Sequence, residues 1–378
     1  MTVPFLDLKR QNQELARDLE QATFRVVQSG RYLLGPETEA FEDEFASAVG
    51  ARYCVAVANG LEALMIALKA LHVGPGDEVL VPTNTFVATW LAVTLVGAEV
   101  VGIEPDPETM VIRAETLEAS VTPRTRAVIP VHLYGRPCPM PEIVSWARHH
   151  GIAVIEDAAQ AHGAQWAHQP VGAFGDAGCW SFYPSKNLGA LGDAGAITTN
   201  DRGVWDLARR LRNYGSREKY HHDVIGWNSR MSEMNAAILR VKLRTLSEWN
   251  QRRQILAHRY VERLQNLPLV LPPLDTLEQS VWHLFVIRTP RRNALQQFLL
   301  DHGVETQIHY PIPPHRQRAY RHSFDKDCFP LANRLAAEVL SLPLGPYLSL
   351  AEVDYVTEVL HQFFDEEKGE AGYEYSAL

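Results

Sequence analysis

Long apolar runs, clustered cysteines and an excess of positive charge are all missing from this chain of 378 residues. No stretch approaches the roughly 20 apolar residues that cross a bilayer. The opening MTVPFLDLKRQNQ lacks a basic region followed by an apolar core, so neither a membrane span nor an export signal is expected. The four cysteines, Cys54, Cys138, Cys179 and Cys328, lie far apart and form no CxxC pair. That spacing argues against a zinc knuckle or a disulfide framework and fits a reducing cytoplasm. With a formal charge of -9 and a pI of about 5.9, the overall field opposes nucleic acid and anionic membrane surfaces. The strand-GxGxxG-helix fingerprint of nicotinamide enzymes is also absent: GPGDEV precedes a strand, and GALGDAG has the wrong spacing. His221 and His222 are adjacent but have no accompanying ligand set, so no metal is expected.

What is present is an ordinary globular composition, 46% hydrophobic and 21% charged. From about residue 53, short β-branched runs alternate with helix-length periodic segments. YCVAVA, EVLVP, AEVVGIE, AVIPVHL, AVIED, CWSFY and AGAITT read as strands. Such alternation predicts an α/β fold, a mostly parallel sheet sandwiched by helices. After Asp201 the texture changes to a helix, a polar loop and a long helical pattern from about Ser232 towards Leu264, followed by Pro-rich breaks and the strand-like SVWHLFVIRT. We therefore expect a large α/β domain over 1–249, including the N-terminal segment, and a smaller α+β domain over 250–378. The acidic tail from about 366 is expected to be loose.

Three motifs carry chemistry. In CWSFYPSKNLGALGDAGAI, Lys186 is the only lysine between Lys69 and Lys219 and has no acid at helical spacing. An apolar strand before it and glycines after it suit an amine whose charged form is disfavoured, the condition for imine formation with a carbonyl. In IEDAAQAHG, a short strand ends in Glu156 and Asp157, at the strand end where ligands of open α/β sheets bind. Strand alternation aims one acid into that crevice and the other away. Asp157 is the candidate to pair with a pyridinium nitrogen, with helix capping as the competing reading. In VANGLEALMIALKAL, a strand, an Asn-Gly turn and a helix place the N–H groups of Gly60, Leu61 and Glu62 where a phosphate binds. Ser181 adds a hydroxyl.

The set NGLEAL, NTFVAT, IEDAAQAHGA, SFYPSKNLGALGDAGA and NSRMSEMNAAIL, in this order, resembles the DegT/DnrJ/StrS sugar aminotransferases of the fold type I (aspartate aminotransferase-like) pyridoxal phosphate enzymes. The resemblance covers about residues 3 to 350. It implies a fold type I PLP-dependent transferase, a homodimer with shared active sites, and pyridoxal 5'-phosphate passing through pyridoxamine 5'-phosphate. By the same resemblance Lys186 is the internal aldimine lysine and proton shuttle, Asp157 the partner of the ring nitrogen, and Gln160 the neighbour of the ring hydroxyl. Phe86 is the stacked aromatic, with a core phenylalanine as its alternative. Gly60, Leu61 and Ser181 contact the phosphate, and Asn228 reaches it from the other subunit. His309 and Tyr310, and Tyr220 more remotely, are implied as substrate contacts. Where much of the family has a hydroxyl residue, this chain has Leu61, so the phosphate relies on backbone N–H groups there.

NGL followed by an acid, together with NYGSREKY, resembles the subgroup that aminates C3 of dTDP-linked 3-keto-6-deoxyhexoses with glutamate as donor. Lysine at 186 argues against the histidine-bearing relatives that remove a sugar hydroxyl. The alternatives are a C4-keto nucleotide sugar or keto-inositol aminotransferase, and a catalytically silent PLP-binding sensor.

Overall fold

The computed structural model describes residues 1–273 and 279–375, with side chains up to 365. Seven strands form the central sheet: β1 (Tyr53–Val57), β2 (Glu78–Pro82), β3 (Glu99–Ile103), β4 (Thr125–Val128), β5 (Ala153–Asp157), β6 (Ala177–Ser181) and β7 (Gly195–Thr199). Their spatial order is β1-β7-β6-β5-β4-β2-β3. The run from β6 to β3 is parallel throughout, whereas β7 is antiparallel to both β6 and β1. A parallel return normally needs a crossover helix. None lies between β6 and β7, so the chain turns back beside its own strand and residues 182–194 become a long excursion over one edge of the sheet.

Reversing direction twice leaves β1 running the same way as β6. The carboxyl ends of β1, β2, β4, β5 and β6 therefore share one edge. Strand β2, EVLVP, is buried along its whole length, as a strand covered on both faces must be. The helix Gly60–Ala70 is buried continuously from Ala63 to Leu68, because it is wedged between the sheet and further helices.

Two sequence boundaries moved. AVIPVHL stops being strand at Val128, after which Val131 makes only an isolated bridge to Asp157 and residues 133–135 form a 3-10 turn. The pattern from Ser232 to Leu264 divides into Glu233–Leu243 and Leu246–Leu264.

The C-terminal region pairs β8 (Phe285–Arg288) with β9 (Val339–Leu342) antiparallel. The helices Leu246–Leu264, Arg292–Asp301 and Leu350–Tyr375 pack against this pair around Tyr260, Phe285, Leu342 and Leu360. Position 250 falls inside a helix, and Val3 bridges Val304, so the N-terminal segment lies against the C-terminal region. The last helix is traced to Tyr375. The side chains of the acidic tail expected to be loose, and residues 376–378 altogether, lie outside the described residues.

Candidate active site

A cavity of about 620 Å3 opens at the shared edge of strand ends. It is lined by Gly60 and Leu61 after β1, Thr85, Phe86 and Thr89 after β2, Asp157 and Gln160 after β5, Ser181 at the end of β6, and Lys186 from the excursion. Elements far apart in sequence meet here because all leave the sheet on the same side.

Asp157 and Glu156 diverge as neighbours on a strand must. Glu156 is fully buried and accepts from the backbone N–H groups of Gly172 (2.7 Å), Phe174 (2.8 Å) and Gly175 (2.9 Å), and pairs with His132 Nε2 at 3.1 Å. His132 Nδ1 accepts from the Cys138 N–H at 3.0 Å, so its proton sits on Nε2 and is donated to Glu156. This acid is scaffold. Asp157 instead lines the cavity and, among the described residues, accepts from the Thr89 hydroxyl at 2.9 Å and the Ala159 N–H at 3.2 Å. Burial raises its pKa, opposed by those two bonds and by Lys186. It forms no ion pair with a described cation, and so has room for a cationic N–H partner.

Lys186 is half-buried, its backbone N–H tied to the Tyr183 carbonyl at 2.8 Å. Burial lowers its amine to about 8 from the usual 10.5, against the pull of Asp157. Gln160 is clamped at both ends: its Oε1 accepts from the Tyr134 N–H at 2.6 Å and its Nε2 donates to the Tyr310 hydroxyl at 3.0 Å. Phe86 is 51% exposed into the opening, with its ring 5.2 Å from that of Tyr310, which rules out the core reading.

At the start of the helix Gly60–Ala70, the Asn59 side chain accepts from the Glu62 N–H at 2.9 Å. The expected three-donor phosphate cradle is therefore corrected to two: the Glu62 group is consumed by the N-cap, leaving Gly60 and Leu61, which as first-turn groups lack intrahelical acceptors. Gly60 is required for a steric reason, since a Cβ there would lie 2.7 Å from Ser181 Cβ.

His309 and Tyr310 both line the cavity. His309 Nδ1 lies 2.8 Å from the Ser341 hydroxyl, its backbone carbonyl accepts from the Tyr134 hydroxyl, and burial followed by Lys186 lowers its pKa to about 4. Tyr220 is 80% exposed and Asn228 is exposed, and neither lines the cavity of its own chain. His162 is fully buried between Trp180 and Phe182 and also lies off the cavity.

Sequence reasoning missed Thr89 and His283. The hydroxyls of Thr85 and Thr89 face each other at 3.0 Å, an i,i+4 pair visible in NTFVAT once that segment is read as a helix start. His283 had no local signal, because a network built from distant residues defines it. Asn250 Nδ2 donates to the His162 carbonyl (2.8 Å), and Asn187 Nδ2 donates to the Val281 carbonyl (2.8 Å) and to Asn250 Oδ1 (2.9 Å). Carbonyls only accept, so both amides are fixed and Asn187 Oδ1 must accept from His283 Nδ1 at 3.2 Å. His283 therefore keeps its proton on Nδ1 and has its lone pair on Nε2. Burial and then Lys186 hold it neutral.

Among the described residues no helix is long and apolar enough to cross a membrane, and no cluster of metal-ligating side chains occurs. The family model described as the DegT/DnrJ/EryC1/StrS aminotransferase family matches residues 13–361. The chain is 49% identical over 362 residues to the erythromycin biosynthesis sensory transduction protein EryC1 of Saccharopolyspora erythraea, covering 95% of this chain and 99% of that one. It is 46% identical to a dTDP-3-amino-3,4,6-trideoxy-alpha-D-glucose transaminase of Streptomyces venezuelae, covering 94% and 96%. Among solved structures it resembles S. venezuelae DesV in complex with a ketimine intermediate, with a TM-score of 0.93, 46% identity, and coverage of 96% of this chain and 98% of that one.

Proposed function

This chain belongs to the DegT/DnrJ/EryC1/StrS aminotransferase family, whose cofactor is pyridoxal 5'-phosphate, and from that premise we propose that it moves the amino group of glutamate to the C3 keto group of a dTDP-linked 3-keto-6-deoxyhexose. The product is a dTDP-3-amino-3,6-dideoxyhexose. One observation carries the reading: a lysine whose amine is lowered to about 8 by burial and a buried carboxylate that pairs with no described cation line the same cavity. The names of the 46% identical relatives support the substrate class.

The residues fit the cofactor's chemistry. Pyridoxal phosphate supplies an aldehyde for amine exchange and a ring that withdraws electrons from the reacting carbon. Asp157, desolvated and accepting from the neutral donors Thr89 and Ala159, would hold the ring nitrogen as a cation, while Thr89 fixes the direction of the carboxylate. Gln160, held in place by Tyr134 and Tyr310, would neighbour the ring hydroxyl. Phe86, exposed in the opening, would stack on the ring. The N–H groups of Gly60 and Leu61, the positive end of the helix behind them, and the Ser181 hydroxyl take the phosphate. Lys186 would carry the cofactor and move the proton, with an amine near 8 suited to proton transfer near neutrality. His309 and Tyr310 meet the sugar or its nucleotide.

Asn228 and Tyr220 lie outside the cavity of their own chain. We assign them to the site of a second copy, which makes the working unit a homodimer. Exposed apolar residues at Phe24, Tyr32, Leu33 and Ile225 support such a contact. Incubation with glutamate and a panel of freshly made nucleotide ketosugars, with NMR identification of the product, tests the reading. Amine at C3 of the dTDP sugar is expected. Amine at C4, or turnover of a keto-inositol alone, overturns the assigned carbon, and absence of glutamate-driven conversion of the bound cofactor would make the protein a silent binder.

A further inference from the structure

A second cavity, of about 260 Å3, adjoins the first. The two share Tyr183, Ser185, His283 and His309. The walls of the second are mainly apolar, with Leu6, Leu8, Leu342 and Leu344 among them, and Arg253 faces it from the helix Leu246–Leu264.

Arg253 is only 1% exposed. Its Nη1 donates to the carbonyls of Leu344 (3.0 Å) and Trp282 (3.3 Å). Among the described residues its Nε has no partner, Nη2 makes no hydrogen bond, and no carboxylate pairs with it. Arg212, another buried arginine, is matched by Glu42. A buried guanidinium without an anion is costly. Nε is also shut off from the cavity by burial, so Nη2 is the group of this guanidinium left to meet an anion there, through a charge-assisted hydrogen bond.

We propose that this second cavity is the pocket for the distal carboxylate of a dicarboxylic amino donor, bound by Nη2 of Arg253 while the leucines cover the donor's methylene groups. The inference rests on the aminotransferase reading and adds to it a basis for choosing glutamate. A donor whose amine is at Lys186 extends past the shared wall of Ser185, His283 and His309 into an apolar sleeve ending in a cation. A neutral side chain of the same length leaves that cation unanswered. The same carboxylate recognition applies to the keto acid formed when the amine leaves.

The test uses the holoenzyme with glutamate and with norvaline, which has a similar chain and no second carboxylate. Conversion of the cofactor is followed by absorbance, and binding of glutarate against butyrate by calorimetry at fixed ionic strength. Wild type is expected to favour glutamate over norvaline and glutarate over butyrate, each by about tenfold or more. R253Q should collapse both preferences, and R253K should restore part of each. Should R253Q fail to fold, L8W narrows the sleeve without touching the guanidinium and should reduce both preferences in the same way. A folded R253Q with unchanged preferences, or a wild type that binds glutarate no better than butyrate, overturns the pocket. Absence of cofactor conversion by any amino acid overturns the aminotransferase reading instead, and the calorimetry still decides the pocket.

Discussion

The basicity of Lys186 can be measured on protein stripped of its cofactor. Burial brings the amine to about 8, against 10.5 for an ordinary lysine. At pH 7 roughly a tenth of such an amine is neutral, compared with roughly 0.03% of an ordinary one, a gain of ~300-fold in nucleophile. The rate of recombination with pyridoxal phosphate, followed in the visible band by stopped flow, should therefore rise with pH and level off above about 8. D157N should move that inflection lower, because the carboxylate favours the ammonium. The same shift has a stability consequence. With the folded value below the unfolded one, the folded chain binds fewer protons between about pH 8 and 10.5. The ammonium thus costs the cofactor-free fold stability at pH 7, up to about 3 kcal/mol, and that cost fades as pH rises through the window. K186M should accordingly raise the Tm of the cofactor-free protein at pH 7 and lose that advantage above about pH 10.5, while abolishing the visible band of the holoenzyme. An inflection near 10.5, or a Tm unchanged by K186M at pH 7, would refute the reasoning.

The adjacent acids on β5 should respond in opposite ways. E156Q removes an acceptor used by three backbone N–H groups and His132, so thermal unfolding should show a loss of about 3 kcal/mol or more. D157N relieves a desolvated carboxylate, so the cofactor-free Tm should hold or rise while transamination is lost. G60A introduces a better helix former but drives a Cβ to within 2.7 Å of Ser181 Cβ, and equilibrium dialysis should show cofactor affinity reduced by about tenfold or more.

Much of this was legible in the sequence where the signal was local. The strands β2, β3 and β5 follow from their apolar runs, and Asp157 and Lys186 stood out through the chain around them. The direction of β7 was not legible, because pairing partners are chosen by connection geometry. β9, VLSL, is not among the expected strands, and its pairing with β8 makes it strand. Glu62 failed as a phosphate donor because one side chain earlier, Asn59 had already claimed its N–H. His283 and Arg253 were invisible for a different reason: each is defined by groups far away in the chain, so neither has a motif to read.

The bonds linking His162, Asn250, Asn187, Val281 and His283 also bear on motion. Asn187 follows Lys186 directly, and Asn250 lies near the start of the helix that leads into the C-terminal region. Swinging that region away as a jaw would sever several sequestered amide contacts together. The chamber around the reactive amine is thus laced to the C-terminal region by bonds that a jaw-like opening would have to break together.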